Sequence, residues 1–352
     1  MSDVAFKLIP FLFFGLFFAS CGKNGHGVEH RGQASVVDTM IIKKWYDQAD
    51  SLKSSNPDSA IILLTHGLKQ IPTGTSDTTL ACWKARIHLS LGNLTLSKGA
   101  LTESLAHDST ALLIGQTCSN KRIVAQAINN MGLLAYSQGN FETALQHYET
   151  AMNIAKANDY QDVMAKVYTN KAIINFLQGD QKLAQTLFLQ TLSIGKQLKD
   201  TVLMTGTLIN LGMCYAGSDY SLSTAYYLNA IHVYQQQGNL ADQVICYQNI
   251  GANYLSLDDY SKAIDAFLKS LDFAKKTGDK ANIAKDYHNL GELYATIGDF
   301  SNAVDYYIRA VTIKESINDN VSSADTYNGL GGVYFRNDQF AKAEAAYKKA
   351  LH

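Results

Sequence analysis

Proline is nearly missing from this sequence: there are three in 352 residues, and none follows Pro72. Proline removes a backbone donor and breaks a helix interior, so its scarcity leaves most of the chain free to be helical. An excess of charge of one sign is also missing. Thirty Lys and Arg face 31 Asp and Glu, for a formal net charge of −1, which provides no electrostatic footprint for nucleic acid. There is no glycine-rich phosphate loop, no HExxH, no nucleophile elbow and no pair of Cys-x-x-Cys motifs. Each of these carries a specific chemistry. Without them, and with nine scattered histidines, the reading is a non-enzyme with no cofactor and no assigned metal. His26, Glu29 and His30 are the one cluster that would suit a metal, and they fall in a glycine-rich polar stretch.

What is present is repetition. In YHNLGELYATIGDFSNAVDYYIRA (287–310), Tyr287, Leu290, Gly291 and Tyr294 recur at three- and four-residue spacing, which puts them on one helix face. Gly298-Asp299 then interrupts the pattern. A glycine there can end one helix in the left-handed conformation, and Asp299 or Ser301 can cap the next. Ala303, Tyr307 and Ala310 share a face of that second helix. Gly291 and Ala303 are small where the helices meet, and Tyr294 and Tyr307 fill the space beside them. Such a hairpin cannot bury its apolar side alone and needs neighbours of its own kind.

The neighbours follow in register. Gly251, Gly291 and Gly331 are 40 residues apart, with Gly132, Ala172 and Gly212 before them. The second-helix alanine recurs as Ala144, Ala184, Ala263, Ala303 and Ala343, and its aromatic partner as Tyr148, Phe188, Phe267, Tyr307 and Tyr347. On these residues the chain resembles the tetratricopeptide repeat family, whose pattern Tyr287, Leu290-Gly291, Tyr294, Gly298, Ala303, Tyr307 and Ala310 meet position by position. The resemblance implies an all-α fold, a right-handed superhelical solenoid of helix-turn-helix hairpins. Two departures stand out. The usual repeat is 34 residues and often ends in proline, whereas this one is 40 and has none, so the second helix and the turn after it are expected to be longer. The fifth repeat is one residue short at AGSDY (216–220), where an irregularity is expected.

After Lys7 runs LIPFLFFGLFFAS, an apolar stretch of 13 residues too short to span a bilayer comfortably. Phe18-Ala19-Ser20-Cys21 resembles a lipobox, and the resemblance implies a bacterial lipoprotein signal peptide (1–20), cleaved before Cys21, which becomes the lipidation site. More than one acyl chain on that residue would anchor the protein stably to a membrane, facing the periplasm. Plain secretion or an uncleaved anchor is the alternative. Residues 21–39 read as a flexible tether. Residues 40–120 read as two degenerate hairpins, with Pro57 at a helix start, Trp83, Gly92 and Leu101 in the marked places of the second, and a longer helix or a loop near His107–Thr110. Residues 121–352 hold six clearer repeats, eight hairpins in all. AKAEAAYKKALH supplies no polar capping helix, so the natural chain is expected to continue.

Cys82, Cys118, Cys214 and Cys246 lie within helix-like sequence and are expected to be structural thiols, with Cys214–Cys246, on adjacent first helices, the pair to test. Asn130, Asn170, Asn210, Asn249 and Asn289 stand two places before the repeat glycine or its equivalent and suit backbone pairing between helices. The family resemblance implies that first helices line a groove that binds a protein or peptide. At the corresponding places stand Gln126, Asn129, Tyr136, Lys166, Phe176, Gln248, Lys285, His288, Glu292, Asp325 and Asn328. The family's carboxylate-clamp lysine has no counterpart here. The first reading is an exported, membrane-anchored scaffold. A sensor region of a signalling protein with a kinase or DNA-binding output elsewhere is the alternative, and a nutrient-binding outer-membrane lipoprotein is a third.

Overall fold

The computed structural model describes residues 39–351. The leader, Cys21 and the tether up to residue 38 lie outside the described residues. These divide into two compact units, one ending at Leu203 and one beginning at Met204. Within the described residues every regular element is a helix.

The first unit contains α1 (Thr39–Leu52) and α2 (Pro57–Lys69), α3 (Thr78–Ser97) and α4 (Leu101–Thr117), α5 (Lys121–Ser137) and α6 (Phe141–Ala157), and α7 (Gln161–Leu177) and α8 (Gln181–Leu198). The second contains most of α9 (Thr201–Tyr215) with α10 (Tyr220–Gln236), α11 (Ala241–Ser256) with α12 (Tyr260–Thr277), α13 (Lys280–Thr296) with α14 (Phe300–Ser316), and α15 (Asn320–Arg336) with α16 (Phe340–Ala350). Within each unit the two helices of a hairpin pack together, and the second then packs on the first helix of the next hairpin. First helices also touch directly: α1 on α3, α3 on α5, α5 on α7, then α11 on α13 and α13 on α15. Within each unit, these first helices therefore form a row in direct contact.

The turns explain why the chain breaks where it does. Asn140, Asp180, Asp259 and Asp299 cap their helices by accepting from Thr143, Leu183, Lys262 and Asn302 N–H, satisfying donors that a helix start leaves orphaned. One residue earlier, Gly139, Gly179 and Gly298 have φ of 76°, 86° and 84°, a region open to glycine without steric cost. Asp258 and Asp338 take that position with φ of 55°, which Asn and Asp tolerate better than other side chains. Asn140 N–H then donates to Ala135 O at 2.9 Å and Gly139 N–H to Tyr136 O at 2.9 Å, closing the helix end.

The interior is made of one recurring contact. A Cβ added at Gly132, Gly251, Gly291 or Gly331 would stand 2.4, 2.6, 2.8 or 2.7 Å from the ring of Tyr148, Phe267, Tyr307 or Tyr347. The glycine is thus the hole into which the second-helix aromatic fits. Burying the Tyr148, Phe267 and Tyr307 rings contributes on the order of 1.5–3 kcal/mol each, whereas Tyr347 is 39% exposed.

Two sequence expectations need revision, and a third, the irregularity at AGSDY, is met. The extra residues of the long repeat do not collect in the second helix and its turn: α5 and α6 are both 17 residues, and each is followed by a three-residue turn. The second hairpin has no loop near His107, because α4 runs unbroken for 17 residues; the lengthened helix is α3, with 20. At AGSDY the shortened repeat is absorbed by trimming α9 to 15 residues and closing its end through Asp219 N–H to Tyr215 O at 2.8 Å. Ser223 then donates to Gly212 O at 2.7 Å, and the Tyr227 ring still lies 2.7 Å from the Cβ position of Gly212.

Candidate functional site

The residues at the ligand places of the first helices do not share one environment. In the first unit, Gln126, Lys166 and Phe176 are half-buried on α5 and α7. Tyr136 is half-buried and stacks on Phe141 with centroids 5.8 Å apart, and burial raises its phenol above the ordinary value. Asn129 is only 4% exposed, and its Oδ1 accepts from Asn170 Nδ2 at 3.0 Å. In the second unit, Gln248 is 3% exposed. Its Nε2 donates to Asp286 Oδ1 at 2.9 Å and to Asn282 Oδ1 at 3.2 Å. Asn129 and Gln248, expected to face a ligand, instead join one first helix to the next.

His288 is intermediate between these cases. Its Nδ1 lies 3.1 Å from Thr326 Oγ1, its Nε2 lies 3.6 Å from Asp325 Oδ2, and its ring meets Tyr307 edge-on at 5.4 Å. Thr326 donates to Ser322 O and accepts from Lys314 Nζ at 2.7 Å, so its remaining lone pair accepts from His288 Nδ1–H. That leaves Nε2 facing the Asp325 carboxylate. Lys314 is buried, and burial lowers its ammonium while Asp325 and Asp319 act in the opposite sense.

Lys285, Glu292, Asp325 and Asn328 are exposed on α13 and α15, beside residues that are not. Asp286, Tyr287, Leu290 and Leu293 turn inward on α13, and Thr326, Tyr327 and Leu330 do so on α15. Phe335 is 57% exposed on α15 and meets Phe340 at 5.6 Å. The face is therefore of mixed charge with an aromatic edge, which suits side-chain and backbone recognition of a peptide. Asp286, beneath it, accepts from Ser270 Oγ at 2.8 and 2.9 Å, and burial pushes its carboxyl up to about 7.

Sequence reasoning missed a second buried acid. Asp108 occupies on α4 the place that Tyr148 or Tyr307 holds elsewhere, and its Oδ1 would lie 2.5 Å from a Cβ at Gly92. Asn130 Nδ2 donates to it at 3.0 Å, and burial pushes it up to about 7. The spacing from Gly92 would have located it, since it equals that from Gly132 to Tyr148. Among the described residues no group of three or more His, Cys, Asp and Glu is placed to hold a metal ion, and no helix is long and apolar enough to cross a membrane.

The tetratricopeptide repeat profile matches residues 83–157, 123–197, 243–316 and 282–351, which together exceed half of the sequence. The chain belongs to the tetratricopeptide repeat family, a fold of protein-interaction scaffolds. A comparison with curated proteins gives no significant match. Among solved structures, the chain is similar to a signal transduction ATPase with numerous domains carrying a tetratricopeptide repeat sensor, from Pyrococcus horikoshii, with 13% identity and a TM-score of 0.69 over 90% of this chain and 50% of that one. It is also similar to aspartyl phosphate phosphatase F from Bacillus subtilis, with 16% identity and a TM-score of 0.58 over 92% and 95%. A third likeness is the Rap conjugation gene regulator of plasmid pLS20 in complex with the Phr* peptide, with 13% identity and a TM-score of 0.52 over 89% and 93%. At these identities the likeness is one of fold.

Proposed function

We propose that this chain is an exported scaffold, tethered to a membrane through acylated Cys21, that holds a protein or peptide partner against its first helices. The observation that carries the binding reading is the exposure of Lys285, Glu292, Asp325 and Asn328 on α13 and α15, on helices whose other faces are committed to the core. The peptide complex of a regulator with the same fold supports it. One base and two acids stand on this face, so the partner it suits is a peptide of mixed charge rather than a polyanion. The experiment is to select a binding peptide from a displayed library and to measure its affinity for the triple variant Lys285→Ala, Glu292→Ala, Asp325→Ala. Affinity should fall at least about tenfold, or about 1.4 kcal/mol, with helicity and Tm unchanged. An unchanged affinity contradicts the reading, and loss of fold would mean that these residues support the core.

Export and anchoring rest on the sequence around Cys21. Their test is the intact mass of the protein from its native membrane, expected to equal residues 21–352 plus acyl chains. A much larger mass would favour the alternative, a sensor region within a longer signalling protein, to which the fold likeness with the repeat sensor of the Pyrococcus ATPase lends support.

A further inference from the structure

Cys214 and Cys246 sit in the core. Both of those are buried, and burial pushes each thiol up to about 12, which suits inert core residues. Cys82 Sγ and Cys118 Sγ instead lie 3.4 Å apart, both half-buried. Cys82 is in the second turn of α3, and Cys118 follows the last residue of α4. We propose that Cys82 and Cys118 are a redox-active pair that closes to an intrachain disulfide by exchange with a disulfide-bearing oxidant.

Three features of the structure favour closure. The sulfurs need to approach from 3.4 Å to the covalent distance of about 2 Å, a shift within reach of side-chain rotation. Cys118 sits at a helix end, with Ser119 after it at φ 56°, so the backbone there is not locked inside a helix. Asn120 Nδ2 points a donor at Cys82 Sγ from 3.6 Å, which steadies a thiolate on that sulfur. That donor marks Cys82 as the attacking sulfur and Cys118, at the helix end, as the resolving one.

The Cys82 thiolate attacks one sulfur of the oxidant disulfide and displaces the other as a thiolate. The Cys118 thiolate then attacks the Cys82 sulfur of the mixed disulfide and displaces the second thiolate. The pair gives up two electrons and the oxidant is reduced to two thiols, which take up the two protons that the cysteines lost. The new bond ties the start of α3 to the end of α4. Because Asn120 also caps α5 through Ile123 N–H at 3.1 Å, it brings three helix ends to one fixed point.

The test treats the full chain with oxidised glutathione, unfolds it in denaturant at acid pH, blocks remaining thiols with iodoacetamide in the same denaturant and maps the peptides without reduction. A linked Cys82–Cys118 peptide is expected, with Cys214 and Cys246 alkylated. Tm should rise on oxidation and return with dithiothreitol. Cys118→Ser should stop at a Cys82–glutathione mixed disulfide and give a Tm that dithiothreitol does not lower. Recovery of both Cys82 and Cys118 alkylated, a stable glutathione adduct in the wild type, or a Cys214–Cys246 link in their place would each overturn the proposal. The wild-type map decides even if a variant fails to fold.

Discussion

The ring of Tyr307 fills the space that a side chain at Gly291 would need: a Cβ there would lie 2.8 Å from Tyr307 Cδ1. The same ring meets Gly329 of the next first helix, where an added Cβ would lie 2.8 Å from its Cζ. One aromatic therefore closes its own hairpin and the joint to the following one.

Gly291→Leu should force the two helices apart and destabilise the second unit by about 1–3 kcal/mol. Tyr307→Ala should cost more, about 3–5 kcal/mol, because it leaves a cavity shared by two hairpins. Urea unfolding followed by circular dichroism measures both. Since neighbouring repeats share stability, the loss should be concentrated in residues 204–351, which hydrogen exchange can resolve. Equal costs for the two changes would mean that Tyr307 does not bridge the hairpins.

Asp286 gives the second unit a pH dependence of definite sign. Its carboxyl titrates near 3.8 when unfolded and is raised to about 7 in the fold, chiefly by burial, against the opposing effects of Ser270, Gln248 and Lys285. Between those values the folded state holds a proton that the unfolded state has lost. Its contribution is therefore complete below about pH 4 and disappears as pH rises through 7. Asp286→Asn should remove this slope and leave the variant more stable than wild type at pH 8.5, by at most about 4 kcal/mol. Ser270 Oγ is 3.2 Å from Val244 O, so it can donate there and accept from the new amide. Urea midpoints at pH 5 and 8.5 for both proteins check the sign.

The caps should matter individually. Asp299 accepts from Asn302 N–H at 3.1 Å, and Asp299→Ala should cost about 1 kcal/mol, whereas Asp299→Asn should cost much less because Asn caps as well. Thermal melts of the two variants compare them directly. A similar loss for both would point to charge rather than hydrogen bonding at the helix start.

The fold was legible because the Gly291–Tyr307 contact needs one small and one aromatic residue at fixed spacing, and the sequence repeats that pair in register. The turns were legible for a similar reason: Gly139 or Gly298 ends a helix only where an Asn or Asp stands ready to cap the next. The site was less so. Asn129, Gln248, His288 and Asn328 each stand three residues before the repeat glycine in four of the first helices, and they run from buried to exposed. What decides between these is the residue that meets them from the next first helix: Asn170 for Asn129, Asp286 for Gln248, Thr326 for His288. A single repeat read along its own length does not contain that neighbour. Asp108 escaped because it breaks the aromatic pattern while keeping its place, and Cys82–Cys118 because the two residues meet across a hairpin.

The most direct test of the binding account is site-specific photo-crosslinking with a selected peptide. A photoreactive residue at Glu292 or Asn328 on the first helices should crosslink the peptide, while one at Leu268 or Ile308, exposed on the second helices, should not. Crosslinks from Leu268 or Ile308, with none from Glu292 or Asn328, would contradict the placement of the partner on the first helices.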